Sequence, residues 1–70
     1  MNKLMERIEI NPKIMLGKPV IRGTRITIEI ILKKLSQHIC VEDILRDYPR
    51  LTEEDIKAAV AFASECLNTD

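Results

Sequence analysis

Lys13, Lys18, Arg22 and Arg25 fall within 13 residues that contain no acidic side chain. Gly17, Pro19 and Gly23 punctuate the same stretch. Glycine admits backbone turns that other residues resist, and proline fixes its own φ. The long cationic side chains are therefore expected on a stiff frame. Guanidinium and ammonium groups held this way recognise phosphate or carboxylate oxygens. The chemistry to expect is anion recognition, on a nucleic acid or on an acid-lined protein. The plainer reading is that the glycines serve turns, Val20 and Ile21 serve the core, and the charges stay in water.

No other stretch carries chemistry of comparable density. There is no G-x-x-x-x-G-K-[ST] and no G-x-G-x-x-G to cradle phosphates, and no H-E-x-x-H. Cys40 and Cys66 lack C-x-x-C spacing and, with one histidine in the chain, make no zinc site of standard spacing. Both are expected to be reduced and at least partly buried. Glu53, Glu54 and Asp55 could serve a metal-dependent nuclease only by converging on one pocket. Their place at the start of a helix explains them as capping residues. His38 is expected to face solvent or to complement a helix end. The expectation is a protein that is not an enzyme, with no catalytic residue, metal, cofactor or small-molecule substrate.

The chain is 70 residues long, which bounds it to one domain spanning 1–70. A domain this small buries only about 60% of the surface its unfolded chain exposes. Its core is expected to be aliphatic, because the chain has 11 isoleucines, one Tyr, one Phe and no Trp. No apolar run approaches the length of a membrane span and the start does not resemble a signal peptide, so a cytoplasmic location is expected. Net charge is zero, but residues 1–36 hold eight bases against three acids and residues 37–70 hold three bases against eight acids. Neutrality argues against strong non-specific nucleic-acid binding by a monomer. The split still permits one basic face, or a basic half of one copy against the acidic half of another.

The elements that must position these residues follow from pattern. Arg7 to Ile10 alternates as a strand and stops at Asn11-Pro12. Val20-Ile21 is a second short extended run, and Arg22-Gly23-Thr24 is a turn. A two-stranded ribbon over about 6–27 is expected, leaning on helices because it is not stable alone. Thr27 is a suitable N-cap for a helix over 28–36, with Ile28, Ile31, Leu32 and Leu35 on one stripe and Ile30 at its edge. Lys33 and Lys34 lie off that stripe near the helix C-terminus. A second helix, 41–47, starts behind Cys40, which is a poor cap, and turns Ile44 and Leu45 inward.

The third helix, 53–67, has the clearest start. Thr52 and Asp55 form a variant capping box, and Leu51 with Ile56 a hydrophobic staple. Ile56, Ala59, Val60, Ala63 and Leu67 make one apolar face. Ala58, Phe62 and Cys66 make an adjacent line at helical spacing. The arc is wider than a small core needs, and Ala58, Phe62 and Cys66 are the expected seam of a homodimer.

The segment Gly17-Lys18-Pro19-Val20-Ile21-Arg22-Gly23-Thr24-Arg25-Ile26 resembles the signature of the DUF433 family. Tyr48-Pro49-Arg50-Leu51-Thr52-Glu53-Glu54-Asp55-Ile56 resembles its second block, and the likeness runs from Ile8 through Phe62. The departures are Cys40, where the family tends to have Ser or Thr, and Gln37-His38 in a region that usually holds glycine. They imply a looser junction between the first two helices. The resemblance implies a mainly α fold: a three-helix, homeodomain or helix-turn-helix-like bundle behind a short β-ribbon. It also implies a VapB-like antitoxin that silences a PIN-like toxin ribonuclease of the DUF5615 type and binds its own operator DNA. The residues expected to meet toxin or nucleic acid are Lys13, Lys18, Arg22, Thr24, Arg25, Lys33 and Lys34. The alternatives are a DNA-binding regulator without a toxin, or a structural homodimer. The acids opening the third helix count against that helix entering a major groove.

Overall fold

The computed structural model describes residues 3–67, so both ends of the expected 1–70 unit lie outside the described residues. A 3-10 turn, Lys3–Arg7, leads into strand β1, Ile8–Glu9. Strand β1 pairs antiparallel with β2, Val20–Ile21, with Ile8 opposite Ile21 and Glu9 opposite Val20. Three helices follow: α1, Ile28–Ser36; α2, Val41–Asp47; and α3, Glu53–Leu67. The fold is mainly α with a ribbon in front, and the three helical spans coincide with those read from the sequence.

The ribbon is shorter than alternation suggests, because Arg7 belongs to the 3-10 turn and Ile10 leaves the strand for solvent. Asn11 explains where the pairing stops. Its side-chain oxygen accepts from the Lys13 N–H at 2.9 Å and its carbonyl accepts from the Ile14 N–H at 2.8 Å. Such a local turn competes with a ladder. Strand β2 instead finds a second partner downstream. The Ile21 N–H donates to the Ile26 carbonyl at 3.0 Å, and Val20 bridges Thr27. Residues 20–27 thus form a second tight hairpin. Gly23 occupies its turn at φ +83°, a left-handed conformation that favours glycine.

Helix α1 begins where Thr27 accepts from the Ile30 N–H at 3.1 Å. Ile28 and Ile31 are buried, and Leu32 and Leu35 pack half-buried beside them. Ile30, at the edge of the stripe, also packs half-buried on the core. Ile44 of α2 and Val20 of β2 are fully buried with Ile31. Helix α2 has Cys40 at its cap with no side-chain bond, as its residue type implies.

Helix α3 is capped from both sides of its start. The Asp55 N–H donates to the Thr52 hydroxyl at 3.3 Å and the Thr52 N–H donates to the Asp55 carboxylate at 3.0 Å. Leu51 and Ile56 are both buried in the core, as a staple requires. The second Asp55 oxygen accepts from the Arg7 guanidinium at 3.1 Å, and the 3-10 turn packs mainly against α3.

Two expectations are corrected. Cys40 and Cys66 are free and exposed, not partly buried. Cys40 caps a surface helix, and Cys66 lies on the last turn of α3, beyond the core. The α1–α2 junction is not loose. The Ile39 N–H donates to the Lys34 carbonyl and the His38 N–H to the Leu35 carbonyl, both at 3.1 Å. These two bonds close a Schellman motif. His38 sits at the left-handed position of that motif with φ 63°. A non-glycine side chain there is strained. His38→Gly is therefore expected to stabilise the fold by about 1 kcal/mol. Urea unfolding of the two chains checks this, and a destabilised variant would show that the histidine has a packing role.

Candidate functional site

The residues of Gly17–Ile26 divide sharply once their contacts are known. Arg22 is exposed, yet its Nε donates to the Glu6 carbonyl at 2.7 Å and its Nη2 to the Ile8 carbonyl at 3.3 Å. Its backbone N–H donates to the Arg7 carbonyl at 2.7 Å. Arg22 thus fastens the second hairpin to the 3-10 turn and β1. Thr24 closes its own turn. Its hydroxyl donates to the Ile21 carbonyl at 2.7 Å and accepts from the Ile26 N–H at 3.1 Å. The carbonyl of Pro19 accepts from the Ile28 N–H at 3.0 Å and seats the start of α1. Lys18 pairs with Glu29 at 3.2 Å, an exposed contact worth little by itself.

Arg25 is different. It is exposed and, among the described residues, has no hydrogen bond or ion pair. It lines an open cleft of about 500 Å³ beside Gly23, Thr24, Ile14, Glu9 and Arg50. Arg50 reaches this cleft from the turn between α2 and α3, and its Nη1 donates to the Gly23 carbonyl at 3.3 Å. One guanidinium is therefore anchored at the rim and the other is open. Glu9 is the one acid in the lining. Two guanidiniums flanking a cleft suit a carboxylate or phosphate oxygen.

The remaining cations are scattered in role. Lys13 and Lys33 are exposed with no ion pair among the described residues. Lys34 lies half-buried with its ammonium 5.7 Å from the Tyr48 ring centroid, which ties the C-terminal ends of α1 and α2. Among the described residues, no three of His, Cys, Asp and Glu gather where they could hold a metal ion. Among the described residues, no helix is long and apolar enough to cross a membrane.

Ala58, Phe62 and Cys66 lie on one line of α3 as expected, but their environments diverge. Ala58 is fully buried against the chain's own core and has no surface to offer a second copy. Its place in a dimer seam is corrected: the small side chain lets α3 pack closely within the chain. Phe62 is half-buried and Cys66 exposed, so the outward part of the line begins one turn later. Arg50 was not among the expected site residues. Its contact with Gly23 spans 27 positions, and no local signal marks it.

The family model described as "Protein of unknown function (DUF433)" matches residues 8–63, and the chain belongs to that family. No curated protein and no solved structure matches it.

The division of roles has a measurable consequence. Arg22→Ala is expected to cost about 1–2 kcal/mol of folding stability, because it removes hydrogen bonds from a charged donor. Arg25→Ala is expected to stay within about 0.5 kcal/mol, as for a surface residue without partners. Equal losses in urea unfolding would contradict the division.

Proposed function

We propose that this chain is the antitoxin of a type II toxin–antitoxin pair, binding and silencing a PIN-like ribonuclease of the DUF5615 type. It acts by binding, not by catalysis. The observation that carries the reading is Arg25. In a signature segment whose Arg22, Thr24 and Lys18 are engaged within the chain, Arg25 alone among the polar side chains is left open, on a rigid hairpin beside an anchored Arg50. A ribonuclease of this type holds a cluster of carboxylates around its metal. An open guanidinium on a stiff frame is suited to lie over such a cluster, forming charge-assisted hydrogen bonds that a flexible lysine would form less readily.

Operator binding is a second reading, supported by the exposed and unpaired Lys13, Arg25 and Lys33. The start of α3 gives it no help. Glu53 and Glu54 are exposed there, and phosphates would be repelled. Any DNA contact therefore runs through the hairpin and the end of α1, with charge supplied by more than one copy.

The test is co-expression with the product of the adjacent gene, followed by an affinity measurement. The parent chain is expected to form a complex of defined mass. Arg25→Glu is expected to weaken it by at least about tenfold by reversing a charge at the contact. Absence of any complex would remove the reading. An unchanged affinity in Arg25→Glu would remove the contact. Arg22→Glu is a poor probe, because its effect mixes binding with the loss of a structural clamp.

A further inference from the structure

We propose that Glu9 makes the cleft at Arg25 selective for a protein segment that carries a basic side chain beside an acidic one. The inference rests on the antitoxin reading and names the chemistry of the ribonuclease surface that enters the cleft. Two unpaired charges of opposite sign carry it. Glu9 and Arg25 line the same open cleft of about 500 Å³. Neither side chain has a hydrogen bond or an ion pair among the described residues. Glu9 also differs from the other acids that lack a side-chain partner. Glu6, Glu42, Asp47, Glu53 and Glu65 are exposed, whereas Glu9 is half-buried. Withdrawing a carboxylate from water costs free energy unless a partner replaces the water. Asp55, the buried acid, has such a partner in Arg7. Glu9 has none within the chain, and the open cleft is where one can come from.

The frame around these charges is fixed. Strand β1 sets Glu9 opposite Val20, which is fully buried. The turn after β1 holds Ile14. Its N–H donates to the Asn11 carbonyl at 2.8 Å and its carbonyl accepts from the Gly17 N–H at 3.0 Å. Met15 and Leu16 take positive φ in this turn, at 49° and 58°. On the other side, the Gly23 carbonyl accepts from Arg50 at 3.3 Å, and the Thr24 hydroxyl accepts from the Ile26 N–H at 3.1 Å. Ile14 and Ile26 are half-buried and give the lining its apolar part. A ligand therefore meets two guanidiniums, one carboxylate and two isoleucines on a backbone that loses little freedom on binding.

That set of groups selects among targets by charge. A purely acidic surface gains from Arg25 and Arg50 but is repelled by Glu9. A phosphate backbone meets the same repulsion. A segment with a lysine or arginine beside its carboxylate satisfies both signs, each by a charge-assisted hydrogen bond. Glu9 thus acts as a specificity residue, because it penalises the wrong target as well as rewarding the right one. The volume suits more than one side chain, since pockets for ligands run to roughly 300–1,000 Å³.

The sign of one substitution tests this. Glu9→Gln keeps the shape of the side chain and removes its charge. Titration calorimetry with the purified product of the adjacent gene is expected to show the Glu9→Gln complex weakened by about tenfold. Glu9→Asp, which keeps the charge, is expected to recover part of that loss. The urea midpoint of Glu9→Gln is expected to match the parent, because the carboxylate has no partner inside the chain. A purely acidic target requires the opposite, tighter binding by Glu9→Gln. Affinity equal to or above the parental value in Glu9→Gln, with Arg25→Glu weakened, would overturn this inference and leave the antitoxin reading standing. So would a Glu9→Gln chain whose only change is tighter binding of duplex DNA, because the cleft would then face phosphates. Absence of any complex with the parent chain would overturn both.

Discussion

The carboxylate of Asp55 is the interaction on which the rest of this small domain depends. Its side chain is only 8% exposed, and its two oxygens are divided between two structures. One accepts from the Thr52 N–H and closes the start of α3. The other accepts from Arg7 and holds the 3-10 turn against that helix. Taking a carboxylate out of water costs several kcal/mol unless its lone pairs are satisfied. Here both oxygens have partners, and no buried polar side-chain atom among the described residues lacks one. From Arg7 the dependence passes outward. The Arg7 carbonyl accepts from the Arg22 N–H, and the Arg22 side chain grips the carbonyls of Glu6 and Ile8. The second hairpin, and with it Arg25, is thus positioned by a chain of polar contacts that begins at one buried acid.

This arrangement changes the meaning of the charge distribution. The basic first half and the acidic second half are joined within a single chain at Arg7 and Asp55. Much of the basic segment is spent on internal contacts, which leaves few cations open. The binding role proposed above benefits from such economy. Each internal contact stiffens the hairpin, and stiffness lowers the entropy lost when an open guanidinium meets its target. The apolar residues show the same contrast. Isoleucines dominate the core, whereas Leu16 and Leu67 are turned to solvent.

The helices were legible because their signals are local. Thr27, the Thr52–Asp55 box and the Leu51–Ile56 staple lie within a few residues of the ends they define. The stripe of Ile28, Ile31, Leu32 and Leu35 identifies its own buried face. Contacts between distant positions left no such mark. The Arg7–Asp55 pair spans 48 positions, and its two members read as a strand residue and a helix cap. Leu16 was hidden for a different reason: leucine and methionine resist the left-handed region, so nothing in their types announces a turn. Ala58 and Cys66 share a helical line but differ in environment, because periodicity gives direction around a helix and not the point along it where the core ends.

The dependence on Asp55 is tested most directly by a double-mutant cycle of Arg7→Met and Asp55→Asn, read by urea unfolding. The account predicts that the two substitutions are not additive, with a coupling energy of about 1–2 kcal/mol between positions that share one buried contact. Additive losses, with coupling indistinguishable from zero, would contradict it: the ion pair would then be incidental to the way the 3-10 turn is held on α3.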